Sequence, residues 1–390
     1  MRRIAATLYV LSSITVLAGA AVAPALAEIS GYFPQADPVW IKMIITLPAL
    51  AVIPCTMVSS ALCARFGKKR VLLGGLVLYF LGGCGGGLVD NLWLLLGLRA
   101  VLGMGMGIIT PVCHALPADF FSGQERVTVV SRMSAFVTIG ACVCSIGAGW
   151  LALVSWRASF AVYAVSLAVI VLVGVFLPGR KTQETVAASP APGPLPLKVW
   201  GLACGMLAVM AVFYVFPTGI AAHLETAGIG DAGTAGLILA LVSLVAFLTS
   251  LNFGNVTSLA GKASLPLFLA SMGMGYILVW QAGSLALVLI GSCLTGMGLG
   301  GLTPLHFVAA NHAVGKERIV RAMSLVIAGN FSGQFLSPFL SGGLERVALL
   351  PGSGTAFGVL GHVLTGVAVA LMLRLAWGAV RRCIRAWRYS

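Results

Sequence analysis

Apolar residues in this chain come in long runs, without the three-to-four spacing of a soluble helix or the alternation of a half-buried strand. A helix needs about 20 consecutive apolar residues to cross a bilayer. Twelve stretches reach that length: 5–27, 39–62, 71–90, 92–117, 128–153, 157–178, 198–222, 233–257, 264–282, 284–309, 319–343 and 354–377. The pattern predicts an all-α integral membrane protein with twelve transmembrane helices. The first stretch has a competing reading. "MRRIAATLYVLSSITVLAGAAVAPALAE" carries two arginines, an apolar segment and ALA before Glu28, as a leader peptide would. It is taken as a retained span, because removing it leaves eleven spans and breaks the repeat described below.

Composition agrees. Of the 390 residues 59% are hydrophobic and 9% charged, where an ordinary soluble domain carries about 25% charge. The net charge of +14 is scattered over short loops, so it does not form the clustered patch that nucleic acid requires. It sets an orientation instead. With the N-terminus in the cytoplasm, 19 of the 24 Lys and Arg fall inside, which predicts cytoplasmic termini in a bacterial-type inner membrane. Most of the nine cysteines sit in apolar runs and none forms a CxxC pair. They read as small packing residues, and no metal or cofactor is implied.

The chain repeats itself. "GMGMGIITP" at 103–111 matches "GMGLGGLTP" at 296–304, an offset of 193. "GQERV" at 123–127 matches "GKERI" at 315–319, and Ser60 to Lys68 matches Gly254 to Lys262. This predicts two six-helix bundles of like orientation, 1–178 and 198–378. A cytoplasmic linker (179–197) joins them, and a basic tail (379–390) follows. In such a pair the ligand site is expected between the halves near the midplane. Small residues let helices approach closely in lipid, so Gly103, Gly107, Gly296 and Gly300 are assigned to packing or hinging. Pro111 and Pro304 are assigned with them.

These motifs together resemble the major facilitator superfamily, and its drug/proton antiporter branch most closely. "SALCARFGKKRVLL" (60–73) is similar to the family's loop after helix 2, with Arg65, Gly67, Lys68 and Lys69 in place but Ala64 where the family has aspartate. "RAVLGMGMG" (99–107) is similar to the helix 4 signature, and "WRASF" (156–160) to the entry of helix 6. The antiporter motif of helix 5 is degraded to "CSIGAG" (144–149), with Cys144 and Ser145 replacing its Gly-Pro. The resemblance implies a cytoplasmic latch between Lys68 and Asp119 when the transporter is open to the outside. It also implies a cavity lined by helices 1, 4, 7 and 10. Candidates there are Met104, Met106, Phe213, Tyr214, Phe216, Ser292, Thr295 and Met297.

No catalytic constellation appears. The ten carboxylates map to loops or span ends, and neither HExxH nor a phosphate-binding loop is present. Arg99 is the one charge well inside a span, where such a residue is costly and usually functional. It is read as contacting substrate or taking part in proton coupling, the alternative being a structural arginine bonded to neighbouring carbonyls. Glu28 is its expected counter-charge by depth and a candidate protonation site. His114 and His306 could carry a proton, although a lone helical histidine more often bonds a neighbour. Pro217 should kink span seven. Asn330 and Gln334, one turn apart, should bond across to another helix.

The reading is therefore a monomeric, non-enzymatic secondary transporter that exports small amphipathic organic compounds by alternating access, coupled to protons. Its expected partners are the small molecule, protons and the lipid bilayer, not nucleic acid. Two alternatives stand beside it: a transporter of one specific small metabolite, an anion if Arg99 binds it, and a membrane sensor or assembly factor that transports nothing.

Overall fold

The computed structural model describes residues 2–16, 19, 21–178, 195–315, 318–347 and 354–388. The expected linker and the last residues of the basic tail fall almost wholly outside them. The described residues form helices without strands.

In the first half, α1 is broken, running as Arg2–Ser13 and resuming at Leu26–Tyr32. It is followed by α2 (Pro38–Phe66), α3 (Lys68–Cys84), α4 (Leu92–Phe120) and α5 (Gly123–Ala152). The sixth span, α6, starts with Trp156–Ser159 and continues as Val165–Phe176. In the second half α7 is broken into Leu197–Phe213 and Val215–Thr226. Then come α8 (Ala232–Leu251), α9 (Ser264–Trp280), α10 (Leu285–His312), α11 (Ile319–Val347) and α12 (Thr355–Arg388). Among the described residues ten helices are long and apolar enough to cross a membrane. The other two expected spans are the broken α1 and the more polar α11, which carries Arg321, Asn330 and Gln334. Below, the side on which the chain begins and ends is the terminal side, and the other is the distal side.

Local chemistry sets the helix starts. Asp37, Asn91 and Asp231 open α2, α4 and α8, each accepting a hydrogen bond from a backbone N–H of the first turn, which satisfies donors the helix itself leaves orphaned. Gly67 turns α2 directly into α3 with φ +83°, a backbone conformation open to glycine and strained for other residues.

The repeat seen in the sequence is a repeat in packing. Gly103 and Gly107 of α4 lie against Pro48 and Val52 of α2; Gly296 and Gly300 of α10 lie against Val242 and Ala246 of α8. A methyl group at Gly107 or at Gly296 would sit 2.7 Å from the facing carbonyl oxygen, so helix backbones touch at these points. Gly105 and Gly298 do the same against α3 and α9. Hydroxyls reinforce the seam at matching positions: Thr56 donates to the Gly107 carbonyl at 3.2 Å, and Ser250 to that of Gly300 at 2.8 Å. Pro111 and Pro304 lie within unbroken helices.

The breaks repeat as well. Pro217 has no N–H to offer the Phe213 carbonyl four residues back. The buried hydroxyl of Tyr276 on α9 donates to the carbonyls of Val212 and Phe213 instead, at 2.7 and 3.2 Å. In the first half Tyr79 of α3 donates to the Ile14 carbonyl at 3.1 Å, where α1 leaves its α-helical course. The kink expected at Pro217 thus falls at Tyr214, three residues earlier.

Candidate functional site

The two halves meet along two seams. The α5–α8 seam is built from small residues: Gly149 lies against Ala232 and Gly236, and Gly236 against the Ser145 carbonyl. The α2–α11 seam is polar. Lys42 donates to Glu345 at 2.7 Å and to Ser341 at 3.1 Å, and Arg346 pairs with Asp37 at 2.6 Å. All these contacts lie in the distal half of the helices. Four hydrogen-bonded contacts join the halves here, Lys42–Glu345, Lys42–Ser341, Arg346–Asp37 and Cys142–Ala240, and all four are distal. The distal side is shut.

On the terminal side the Lys68 ammonium bridges both carboxylate oxygens of Asp119 at 2.7 Å. Lys69 donates to the Gly174 carbonyl at 2.8 Å, and Arg65 lies over the ring of Phe66. Lys68 and Lys69 thus tie α3 to α4 and to α6 within the first half. The resemblance implied that the Lys68–Asp119 pair belongs to the outward-open state. It is formed here with the Lys42–Glu345 and Arg346–Asp37 pairs closing the distal side, so its formation is not confined to that state.

Arg99 is fully buried, but inside the first bundle. Its guanidinium donates to the Tyr163 hydroxyl at 2.9 Å and to the carbonyls of Gly82 and Gly83 at 3.4 and 3.1 Å. It lies over the rings of Phe160 and Tyr163. This geometry matches the structural alternative of carbonyl-bonded arginine. The glycines of α3 expose the carbonyls it needs, a signal present in "GGCGGG" (82–87) and not read from the sequence. Glu28 is not its counter-charge. Half-buried just beyond the apolar stretch of α1, Glu28 lies where the distal end of α1 packs on that of α7. Burial and then the neighbouring charge of Glu225 push its carboxyl above the ordinary value, against a smaller opposing effect of the Trp156 backbone N–H.

Other candidates scatter. Met104 and Met297 occupy equivalent positions and are 36% and 42% exposed. Met104 shares a helix face with Gly97, which has nothing near it, so it points away from the glycine seam. Thr295 is buried against Gly275 of α9 and bonds the Gly291 carbonyl. Ser292, the repeat mate of Arg99, bonds Val288. Phe216 is buried against Tyr276 and Phe357. His306 bonds the Leu302 carbonyl through Nδ1 and turns Nε2 toward Gly205 on α7. His114 is exposed on α4.

One group of candidates does converge. Tyr214, at the break of α7, is hydrogen-bonded to Gln334 of α11. Phe213 packs edge-on against Tyr214, and Asn330 lies one turn from Gln334, half-buried and without a side-chain hydrogen bond among the described residues. Met106 is half-buried on α4. Near the middle of the second bundle this leaves a phenol and two amides that can donate and accept, with no charge among them. Tyr79 and Tyr276, which hold the two helix breaks, were not singled out from the sequence. Their partners are backbone carbonyls far along the chain, which no motif records.

Comparison with known proteins places this arrangement. The chain is 31% identical over 186 residues to the class C tetracycline resistance protein of Escherichia coli, covering 45% of this chain and 44% of that one. It is 30% identical over 130 residues to the cis,cis-muconate transport protein of Acinetobacter baylyi, covering 33% and 32%. Each match thus spans less than half of the relative. Among solved structures, the nucleoside transporter NupG superposes with a TM-score of 0.76 at 13% identity, over 95% of this chain and 98% of that one. A bacterial homolog of the human lysosomal transporter Spinster, in an inward-facing and occupied conformation, superposes with a TM-score of 0.74 at 16% identity, over 96% and 95%. The model of the Major Facilitator Superfamily matches residues 6–262, and with two repeated six-helix bundles meeting along two seams, the chain belongs to that superfamily of membrane transporters.

Proposed function

We propose that the protein is a proton-coupled secondary transporter that exports small amphipathic organic compounds, with the distal side facing out and the terminal side facing the cytoplasm. The observation that carries this reading is the distal closure: the Lys42–Glu345 and Arg346–Asp37 ion pairs tie the two halves together on the distal side. A two-sided machine of this kind works by exchanging which side is shut. The basic residues concentrated at the terminal side support the orientation. The site is centred on Tyr214, Gln334, Asn330 and Phe213. Uncharged hydrogen-bonding groups beside aromatic surface suit a neutral, amphipathic ligand. Glu28, at the distal contact of the halves, is the group that takes up the proton.

The likeness to a tetracycline resistance protein supports export. The likeness to a muconate transport protein favours a second reading, a carboxylate carrier, but Arg99 is engaged inside one bundle and offers no free positive charge to such an anion. The test is transport by purified protein in liposomes with an imposed pH gradient. Tetracycline and a lipophilic dye are expected to move against protons. Movement of cis,cis-muconate with neither of the others would establish the carboxylate carrier.

A further inference from the structure

The α2–α11 seam holds an inconsistency one turn below its ion pair. Lys42 and Ser341 bond each other across the seam. One helical turn inward from each come Thr46 and Ser337. Both are 0% exposed, and neither hydroxyl has a hydrogen-bond partner. The backbone adds to this at the same level. Pro48 and Pro338 have no N–H, so the carbonyls of Ile44 and Gln334, four residues back, lose their usual helical donor. The distal closure therefore buries two hydroxyls with less hydrogen bonding than water would give them, directly beneath the contacts that hold it shut. An unpartnered buried polar group costs free energy that it does not cost when solvated.

We propose that Thr46 and Ser337 act as a counterweight to the Lys42–Glu345 and Asp37–Arg346 ion pairs, keeping the distal gate reversible. When the seam opens, water reaches the hydroxyls and their penalty disappears. When it closes, the ion pairs form and the penalty returns. The two effects oppose each other at one interface, so the closed and open states stay near balance, as alternation between them requires. An apolar seam with the same ion pairs would stay shut. This proposal rests on the alternating-access reading but not on any particular substrate or coupling ion.

The test is the full-length Thr46→Val/Ser337→Ala double variant, nearly isosteric, in lipid without substrate. Spin labels placed through Val154→Cys and Ala227→Cys, on distal loops of opposite halves, report the distance across the gate. The open fraction is expected to fall about tenfold relative to the labelled parent, with a raised melting temperature. An open fraction that is unchanged or larger overturns the proposal, because the hydroxyls would then hold bridging water or take no part in the gate. A parent that never opens under any condition tells against alternating access itself, whereas a parent that opens but moves no drug or dye leaves the counterweight intact and removes only the exporter reading.

Discussion

At the scale of single residues, Arg99 and Glu28 show how environment assigns a role. Arg99 donates to one hydroxyl and two carbonyls and stacks on two rings, so its removal strands buried acceptors. Hydrogen bonds to a charged group are worth about 1.5–3 kcal/mol each. Arg99→Ala is expected to lower the melting temperature in detergent sharply and to reduce the folded yield. Arg99→Lys should recover only part, since a point charge cannot reproduce the planar fork. A well-folded Arg99→Ala protein that fails only in transport would return the arginine to the binding site. Glu28 gives a pH dependence with a definite sign. Distal closure raises its affinity for a proton, through burial and Glu225, so a bound proton favours closure. Other charged or titratable groups on the packed elements are Lys42, His223 and Arg157; Lys42 and Arg157 are engaged by Glu345 and Asp90, and His223 bonds the Val279 carbonyl. The closed fraction should rise as pH falls through the raised value and be lost as pH climbs above it. Glu28→Gln should flatten this response in a distance measurement across the distal face, and a response of full size in that variant would place the proton elsewhere.

At the scale of helices, the glycines divide into two kinds that composition alone cannot separate. Gly107, Gly296, Gly298 and Gly300 face backbone or Cβ atoms of a neighbouring helix, whereas Gly97 and Gly147 have open space. Gly300→Ala should force α10 away from Ala246 of α8 and cost on the order of 2 kcal/mol by overpacking. Gly97→Ala should be neutral or stabilising by about 0.5–1 kcal/mol, as expected when alanine replaces glycine inside a helix. Melting curves of the two variants in one detergent decide the matter. Equal effects would mean that the seams are not close-packed. The same scale shows why a motif within one helix is incomplete: "FYVFP" announces the α7 break through Pro217, but the residue that makes the break tolerable, Tyr276, lies some sixty positions away.

At the scale of the whole molecule, function depends on the balance between two closures. The Lys42–Glu345 pair is the less exposed of the two distal pairs, at 13% and 27%, against 71% and 38% for Arg346–Asp37. Exposed pairs contribute only about 0–1 kcal/mol. Glu345→Gln is therefore expected to open the distal side more than Arg346→Gln does, and the ratio of open fractions in spin-label distances measures the difference. Equal shifts would show that burial does not rank the two ties. On the terminal side, Ala64 is exposed and stands where the family carries an aspartate. Ala64→Asp is expected to favour terminal closure by adding an acid able to reach the second half, and unchanged distances on that side would mean the site faces away from it.

Much of the architecture was already determined by the order of residues. The length of the apolar runs set the spans, the offset of 193 set the two halves, and the glycine spacing marked the helices that touch. Lys68 and Asp119 were legible as a pair through the resemblance of the loop after helix 2 to the family's, and the structure joins them at 2.7 Å. What only the tertiary structure decided was direction around each helix. In a soluble protein a polar stripe marks the outward face. In a membrane, lipid and protein interior are both apolar, so a span is hydrophobic all round and carries no such mark. That is why Arg99 could be read as facing a ligand and faces Tyr163, and why the polar α2–α11 seam became visible only once Lys42 and Glu345, about three hundred positions apart, were brought together.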